Sequence, residues 1–532
     1  MISPLLERFF NATQRRIAPD NLAVAEEDAV IEVGSITRQA AHYYERMRRA
    51  VDYADDHVLR RSAIERIIKR KMTFGITPSS IGNDLIIELI QAGYLPSGKL
   101  SQRIVPIVQG VIEKALTFME YVREADPKMR SVLFDARVLS LCACEIEDIL
   151  FSRVIQEEAA TLFFDAIHDR VDVIGEDMSQ AEINVQIYIA VRKSLLGRDM
   201  PRLFFDVWRL YYPDWEAFTS RTDEGKQQLR AAARDFVAAK GYIERHLKHP
   251  VQLRLVAKLK NDAMFYAIIM TIAERYGDDA KKIFSTPDLL SAEVGEFVSQ
   301  KYGEEKRRVK SMARRAVIYI FLTKIILALA IELPYDIFIA GGIHYGALFI
   351  NIVFHPVLLF IITAWVAVGS AENTARIIRG VDEASRGDMP GKIVLRMKRW
   401  NGLLLISYVL YGFFFLFSFG SIIAFLSGIG FTAVSIALFL MFLTLVSFFG
   451  FRIRHAAKRW VVRVHDEKLA SFAMDLVTLP IVTLGKWLTQ TFSSINIFVF
   501  ILDFIIETPF KALLKAFDSF VIFIKEKKEE LY

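Results

Sequence analysis

Residues 401–451, NGLLLISYVLYGFFFLFSFGSIIAFLSGIGFTAVSIALFLMFLTLVSFFGF, run for 51 positions without an Asp, Glu, Lys or Arg. A bilayer core takes about 20 apolar residues per helix, so this stretch holds two spans, about 402–426 and 431–450, with Ser427–Gly428–Ile429–Gly430 as the turn between them. Upstream, residues 337–371 form a second uncharged run of 35 residues. It accommodates one span, about 346–369, plus a re-entrant or surface piece. Ala316–Leu333 adds 18 residues, which at ~1.5 Å per residue reach ~27 Å, just enough for another span. Four spans between 316 and 450 follow.

Flanking charge gives an independent reading of topology, because Lys and Arg near a span end stay on the cytoplasmic side. Lys306–Arg315 carries six basic and no acidic residues, whereas the loop after the first span has Glu332 and Asp336 and no basic residue before Arg376. Arg376, Arg379, Arg386, Lys392, Arg396, Lys398 and Arg399 lie between the second and third spans, and Arg452, Arg454, Lys458, Arg459, Arg463 and Lys468 follow the fourth. The alternation places both termini in the cytoplasm and the spans in a cellular membrane, the plasma membrane first.

Composition agrees. The 532 residues are 53% hydrophobic with 41 Phe and only 24% charged, and a mean hydropathy of +0.29 excludes disorder and collagen-like chains. Through Arg315 there are 47 basic and 46 acidic residues, so most of the net +6 belongs to the apolar remainder. A balanced first part lacks the basic stripe that nucleic acid requires. The expected class is all-α: a cytoplasmic helical region over 1–315 in one or two domains, a polytopic helical membrane domain over 316–450, and a C-terminal part over 451–532. No cleaved signal peptide is expected at the first residues, which contain Glu7 and Arg8 and no apolar run.

Within 1–315 the pattern is helical, with about nine or ten helices. Breaks fall near Gly75–Ser80, Pro96–Gly98, Asp126–Pro127, Gly197–Pro201, Tyr212–Pro213 and His249–Pro250. The helix from Val154 is expected to continue through Ile167 to Val171 and Ile174. After the fourth span the basic residues form a juxtamembrane helix. Beyond it, Leu476–Gly485 and Trp487–Leu502 are short apolar stretches bounded by Asp475, Pro480, Lys486 and Asp503, which suits interfacial or re-entrant segments, with six spans as the competing count. Phe510, Leu513, Leu514, Phe517, Phe520, Val521 and Ile524 repeat with helical period, as in an amphipathic helix lying on a surface.

Three residue sets could carry chemistry. Lys324 falls near the middle of the first span, where an ionised amine is costly unless it pairs or snorkels. His344, Asn351 and His355 share one face of the second span if that helix is continuous, and with Lys324 they could form a proton or ion path; the alternative is a packing face, bent at Pro356, with Gly342 and Gly346 as a small-residue contact. Asp165, His168, Asp169 and Asp172 recur at i, i+3, i+4 and i+7, and His246 and His249 could complete a divalent-metal site from another helix. The alternative is the wet face of an amphipathic helix. His168–Asp169 resembles, over those two residues, the His-Asp pair of helical HD-type phosphohydrolases, and the resemblance implies a membrane-tethered metal-dependent hydrolase. A third set, Arg399, Trp400, Arg452, Arg459, Trp460 and Arg463, suits anionic lipid headgroups or simple positive-inside anchoring.

Cys142 and Cys144, two residues apart, point to different faces and read as small core residues. No phosphate-binding, dinucleotide, zinc-protease or serine-hydrolase motif occurs, so no cofactor is implied. The leading functional expectation is a non-enzymatic, membrane-anchored binding or scaffolding protein whose cytoplasmic region takes a protein partner. A transporter or channel and the metal hydrolase stand behind it, and self-association is left open. Reporter tags at Met1 and within Ser427–Gly430 should report opposite compartments, and the protein should resist carbonate extraction; tags on the same side would overturn the topology.

Overall fold

The computed structural model describes residues 2–16, 30–31, 56–73, 80–126, 132–151, 153–339, 341–342, 344–364, 366, 369–397, 401–462 and 469–494. The proposed amphipathic helix over 510–524, Arg399, Trp400 and Arg463 lie outside them. The chain divides into two compact units, one built from Met1–Lys282 with Ala384–Met397, the other from Ile283–Glu383 with Lys398–Ile501.

The first unit contains α1 (Pro4–Arg16), α2 (Asp56–Thr73), α3 (Ile81–Gln91), α4 (Ile104–Ala125), α5 (Val132–Leu150), α6 (Val154–Ile167), α7 (Gln180–Leu195), α8 (Met200–Tyr211), α9 (Asp223–Leu247) and α10 (Pro250–Tyr276), with α11 (Ala280–Ser285) leading out of it. The breaks read from Pro and Gly are realised by capping. Asp199 accepts from the Arg202 N–H with Pro201 in the first turn of α8, and His249 caps α10 just ahead of Pro250. Pro is tolerated there because first-turn N–H groups have no helical partner.

An aromatic cluster ties α4, α8 and α9 together. Phe118 meets Trp208, Trp215 and Phe236 edge-on, at centroid distances of 5.9, 5.1 and 5.8 Å. Such pairs contribute about 0.5–1.5 kcal/mol each beyond area burial. Lys114 is buried beneath the cluster; its Nζ lies 2.5 Å from Glu145 Oε1 and donates to the Trp215 carbonyl, while Trp215 Nε1 donates to Glu145 Oε2. Burial pushes the Glu145 carboxyl above its ordinary value, against the opposing pull of Lys114. Cys142 and Cys144 are both free and buried in the core.

The helix from Val154 is shorter than its apolar spacing suggests. It ends at Ile167, His168–Arg170 form a 3-10 turn, and Val171–Ile174 become strand β1. β1 pairs in parallel with β2 (Ile393–Arg396), with Val171 opposite Ile393. Arg170 supports the pairing by donating to the carbonyls of Pro390 and Gly391. Two hydrogen-bonded strands share one aqueous compartment, so the chain between them crosses any membrane an even number of times.

The second unit holds α12 (Pro287–Leu327), a π-helical turn at Ala328–Glu332, α13 (Leu333–Phe338), α14 (Tyr345–Ala364), α15 (Ala371–Arg386), α16 (Asn401–Gly428), α17 (Ala433–Ala457) and α18 (Leu469–Ser494). Among the described residues, four helical stretches are long and apolar enough to cross a membrane: Pro287–Phe338, Tyr345–Ala364, Tyr408–Gly428 and Ala433–His455. Only 17–39% of each apolar window is buried inside the protein, so the rest presents apolar side chains outward, as lipid contact demands and water does not favour. The first of these helices runs unbroken past position 315, so the change from charged to apolar sequence falls inside a helix instead of at a domain break.

Two details of the bundle depart from expectation. Leu476–Gly485 and the residues after Trp487 are not separate short segments up to Ser494; they belong to one 26-residue helix, α18, which packs on α17 and α16. Close packing also falls elsewhere than Gly342 and Gly346, where an added Cβ would meet nothing within 4 Å. It falls at Gly485, where a Cβ would sit 2.0 Å from the Thr444 carbonyl, and at Gly450, 2.9 Å from Ile362.

Lys114→Met should cost about 3–5 kcal/mol by stranding the Glu145 carboxylate, whereas Lys114→Met with Glu145→Gln should recover most of that, because the amide still accepts from Trp215. Near-UV circular dichroism of thermal unfolding on the whole protein in detergent measures both; equal losses would show that the buried charge is not the cause.

Candidate functional site

Lys324, on α12, is 2% exposed. Three residues further on the helix gives way to the π turn, and the cause is local. Pro334 has no N–H to bond the carbonyl four residues back, and its ring crowds that carbonyl, so the α-helical ladder cannot continue through it. The π turn carries Glu332, and the next α-helical turn carries Asp336, both 2% exposed. Neither carboxylate lies in a solvated loop, as the flanking-charge reading has it. A single inserted turn of this kind recurs at functional sites.

Asn351 on α14 joins these groups. Its Oδ1 accepts from Lys324 Nζ, and its Nδ2 lies 3.0 and 2.9 Å from the two carboxylate oxygens of Glu332 and 3.5 Å from the Ser435 carbonyl. Lysine and glutamate thus bind opposite ends of one amide. The Lys324 ammonium also sits 4.6 Å from the Phe442 ring centroid, a cation–π contact that partly replaces lost hydration. One turn along α14, His355 Nε2 is 2.9 Å from the Phe439 carbonyl, a distance at which the ring N–H donates. Asp336 accepts from Thr432, which itself bonds Ser435 at the start of α17. The positive end of that helix favours a carboxylate there.

Polar groups run in a file from Asp336 through the Thr432 and Ser435 hydroxyls, then by the Ser435 backbone carbonyl to Asn351 and Lys324. Twelve residues separate Lys324 from Asp336, or ~18 Å of helix, more than half of a ~30 Å hydrocarbon core. The file thus brings one amine and two carboxyl groups into the apolar unit, all three 2% exposed.

His344 does not join it. Helix α14 begins at Tyr345, so the stripe predicted from 344 to 355 lacks its first member, and His344 is exposed. Reading Glu332 into the site was possible in principle: a buried lysine needs a partner, and Glu332 is the nearest carboxylate in the chain.

The other two sets fare differently. Asp165 lies in the last turn of α6 near Arg8, His168 Nε2 is 3.2 Å from Asp169 in the 3-10 turn, and Asp172 stands on β1, so the four do not share a helix face. His246 Nδ1 accepts from Gln186 at 2.9 Å, and burial holds its imidazole below the ordinary value. His249 Nδ1 accepts from the Val251 N–H. Among the described residues no group of three or more His, Cys, Asp and Glu side chains gathers as a metal site. Of the headgroup set, Arg452 is exposed on α17, which absorbs the expected juxtamembrane helix up to Ala457, and Arg459 is exposed in the turn that follows. Trp460 is half-buried instead, edge-on to Phe297 at 5.4 Å, its carbonyl accepting from Asn373.

Comparison with protein-family models, with characterised proteins and with solved structures gives no match.

Asn351→Leu should lower the thermal stability of the purified protein by about 3–5 kcal/mol, because it removes the bridge and leaves two charges unpaired. His344→Ala should change it by less than about 0.5 kcal/mol, as an exposed position outside the network. Equal effects would break the claim that Asn351 holds the cluster together.

Proposed function

We propose that this is an integral membrane protein that moves protons, with Lys324, Glu332, Asn351 and Asp336 as the transfer site and His355 as the residue that fastens α14 to α17 beside it. One observation carries the reading: a lysine and a carboxylate, each 2% exposed, are joined through a single amide inside the most apolar part of the chain. A purely structural ion pair gains most from direct contact. Here the amide keeps the two groups apart, and ionisable side chains inside a span favour a role in moving protons or ions. A metal cation fits less well, since Asn351 Oδ1, a natural cation ligand, is already taken by Lys324.

Positive flanking charge supports a cytoplasmic location for the first unit and both termini, and the plasma membrane as the site. Exposed Arg452 and Arg459 support contact with anionic headgroups. A second reading makes the protein a membrane-anchored scaffold. It draws on the first unit having its own aromatic core and a charge-balanced helical surface on which a protein partner could dock. The metal-hydrolase reading draws no such support from the described residues.

In proteoliposomes carrying a trapped pH dye, an imposed pH gradient should collapse faster with the protein than without it. Lys324→Ala and Glu332→Gln should each slow that collapse at least about tenfold, the effect of removing an essential titratable group. A scaffold would show no flux, or would tolerate both changes.

A further inference from the structure

The first unit contains a cavity of about 530 Å³ that the proton site does not use. Its volume lies within the range of small-ligand pockets, roughly 300–1,000 Å³. Three arginines, Arg60, Arg153 and Arg198, line it with no carboxylate among the lining residues, and Phe151, Leu195 and Met270 supply apolar wall. Arg60 is held against the wall, its guanidinium carbon 4.3 Å from the Phe151 ring centroid.

The arginines of the cavity belong to an extended ion-pair network. Ion pairs within 4 Å connect six arginines, Arg60, Arg153, Arg192, Arg198, Arg202 and Arg209, to five carboxylates, Glu147, Asp148, Glu157, Asp206 and Glu216. Within this network the Arg198 side chain is 2% exposed. Two buried donors, Arg60 Nε and Arg198 Nε, have no hydrogen-bond partner among the described residues. Burial holds the Arg153 guanidinium below its ordinary value even with Glu147 beside it, which is the signature of incomplete compensation. Arginine forks match planar or tetrahedral oxyanions, and buried donors are normally satisfied.

We propose that this cavity binds a small organic anion, with a phosphate or carboxylate group on Arg60, Arg153 and Arg198 and an apolar portion against Phe151, Leu195 and Met270. Three arginines facing the space with no carboxylate in its wall, and guanidinium donors left over, call for a ligand anion, and the apolar wall calls for more than an inorganic ion. Binding here is independent of proton transfer in the second unit.

Calorimetric titration of the whole protein in detergent with phenyl phosphate, and separately with inorganic phosphate, tests this. Saturable binding of phenyl phosphate at one site per chain is expected, at least tenfold tighter than inorganic phosphate. Arg60→Gln should weaken it about tenfold, and Leu196→Trp, which fills the cavity from a half-buried position, should abolish it. Both variants are first checked for unchanged thermal unfolding; if Arg60→Gln fails that check, Met270→Trp replaces it. Absence of saturable binding, or binding untouched by the variants, overturns the site. Equal affinity for the two phosphates overturns the apolar half of the proposal.

Discussion

A lysine amine buried among apolar helices cannot fall back on water, and the second unit is organised around that constraint. Lys324 takes the carbonyl end of the Asn351 amide, and Glu332 takes the nitrogen end. To reach that amide, Glu332 must leave the face it would occupy on a regular α-helix. The π turn ahead of Pro334 provides the rotation. The remaining contacts follow: His355 reaches the Phe439 carbonyl one turn along, and Ser435 and Thr432 link Asn351 to Asp336. Helices α12, α14 and α17 are held in register by these bonds as much as by shape, because apolar side chains gain little from one another when lipid is the alternative.

The first unit faces the same problem in a different solvent. Its buried arginines are balanced almost pairwise by carboxylates, and the Lys114–Glu145 pair shares its hydrogen bonds with Trp215. Such pairs add little net stability compared with apolar residues of the same size, since desolvation offsets attraction. They act by selection: a helix docked out of register would leave a charge unpaired. Beside the cavity, guanidinium donors of Arg60 and Arg198 are left without a hydrogen-bond partner among the described residues.

Much of the outline was legible in the chain itself. Stretches of 51 and 35 uncharged residues located the spans, and Pro201, Pro250 and the Gly197 break marked helix starts in the first unit. The polar residues Lys324, Asn351 and His355 stood out because the residues around them are apolar. Glu332 was misread, because its place after an 18-residue run made it look like a loop charge, and nothing local shows that the helix continues through a π turn to Phe338. The acidic file from Asp165 to Asp172 failed for the opposite reason. Its spacing assumed a helix, and pairing of β1 with a strand more than 200 residues away took the chain out of helix at Val171.

What the sequence determined by itself is the solvent of each part, because burial in lipid or water depends on local composition and on charge at span ends. The partners of each buried charge were decided only in three dimensions. Asn351 between Lys324 and Glu332, Gly485 against Thr444, and β2 beside β1 are contacts over separations from 19 to 222 residues, and no local pattern encodes them. They follow from how the helices pack, since only packing selects which polar group is near enough to replace the water a charge has lost.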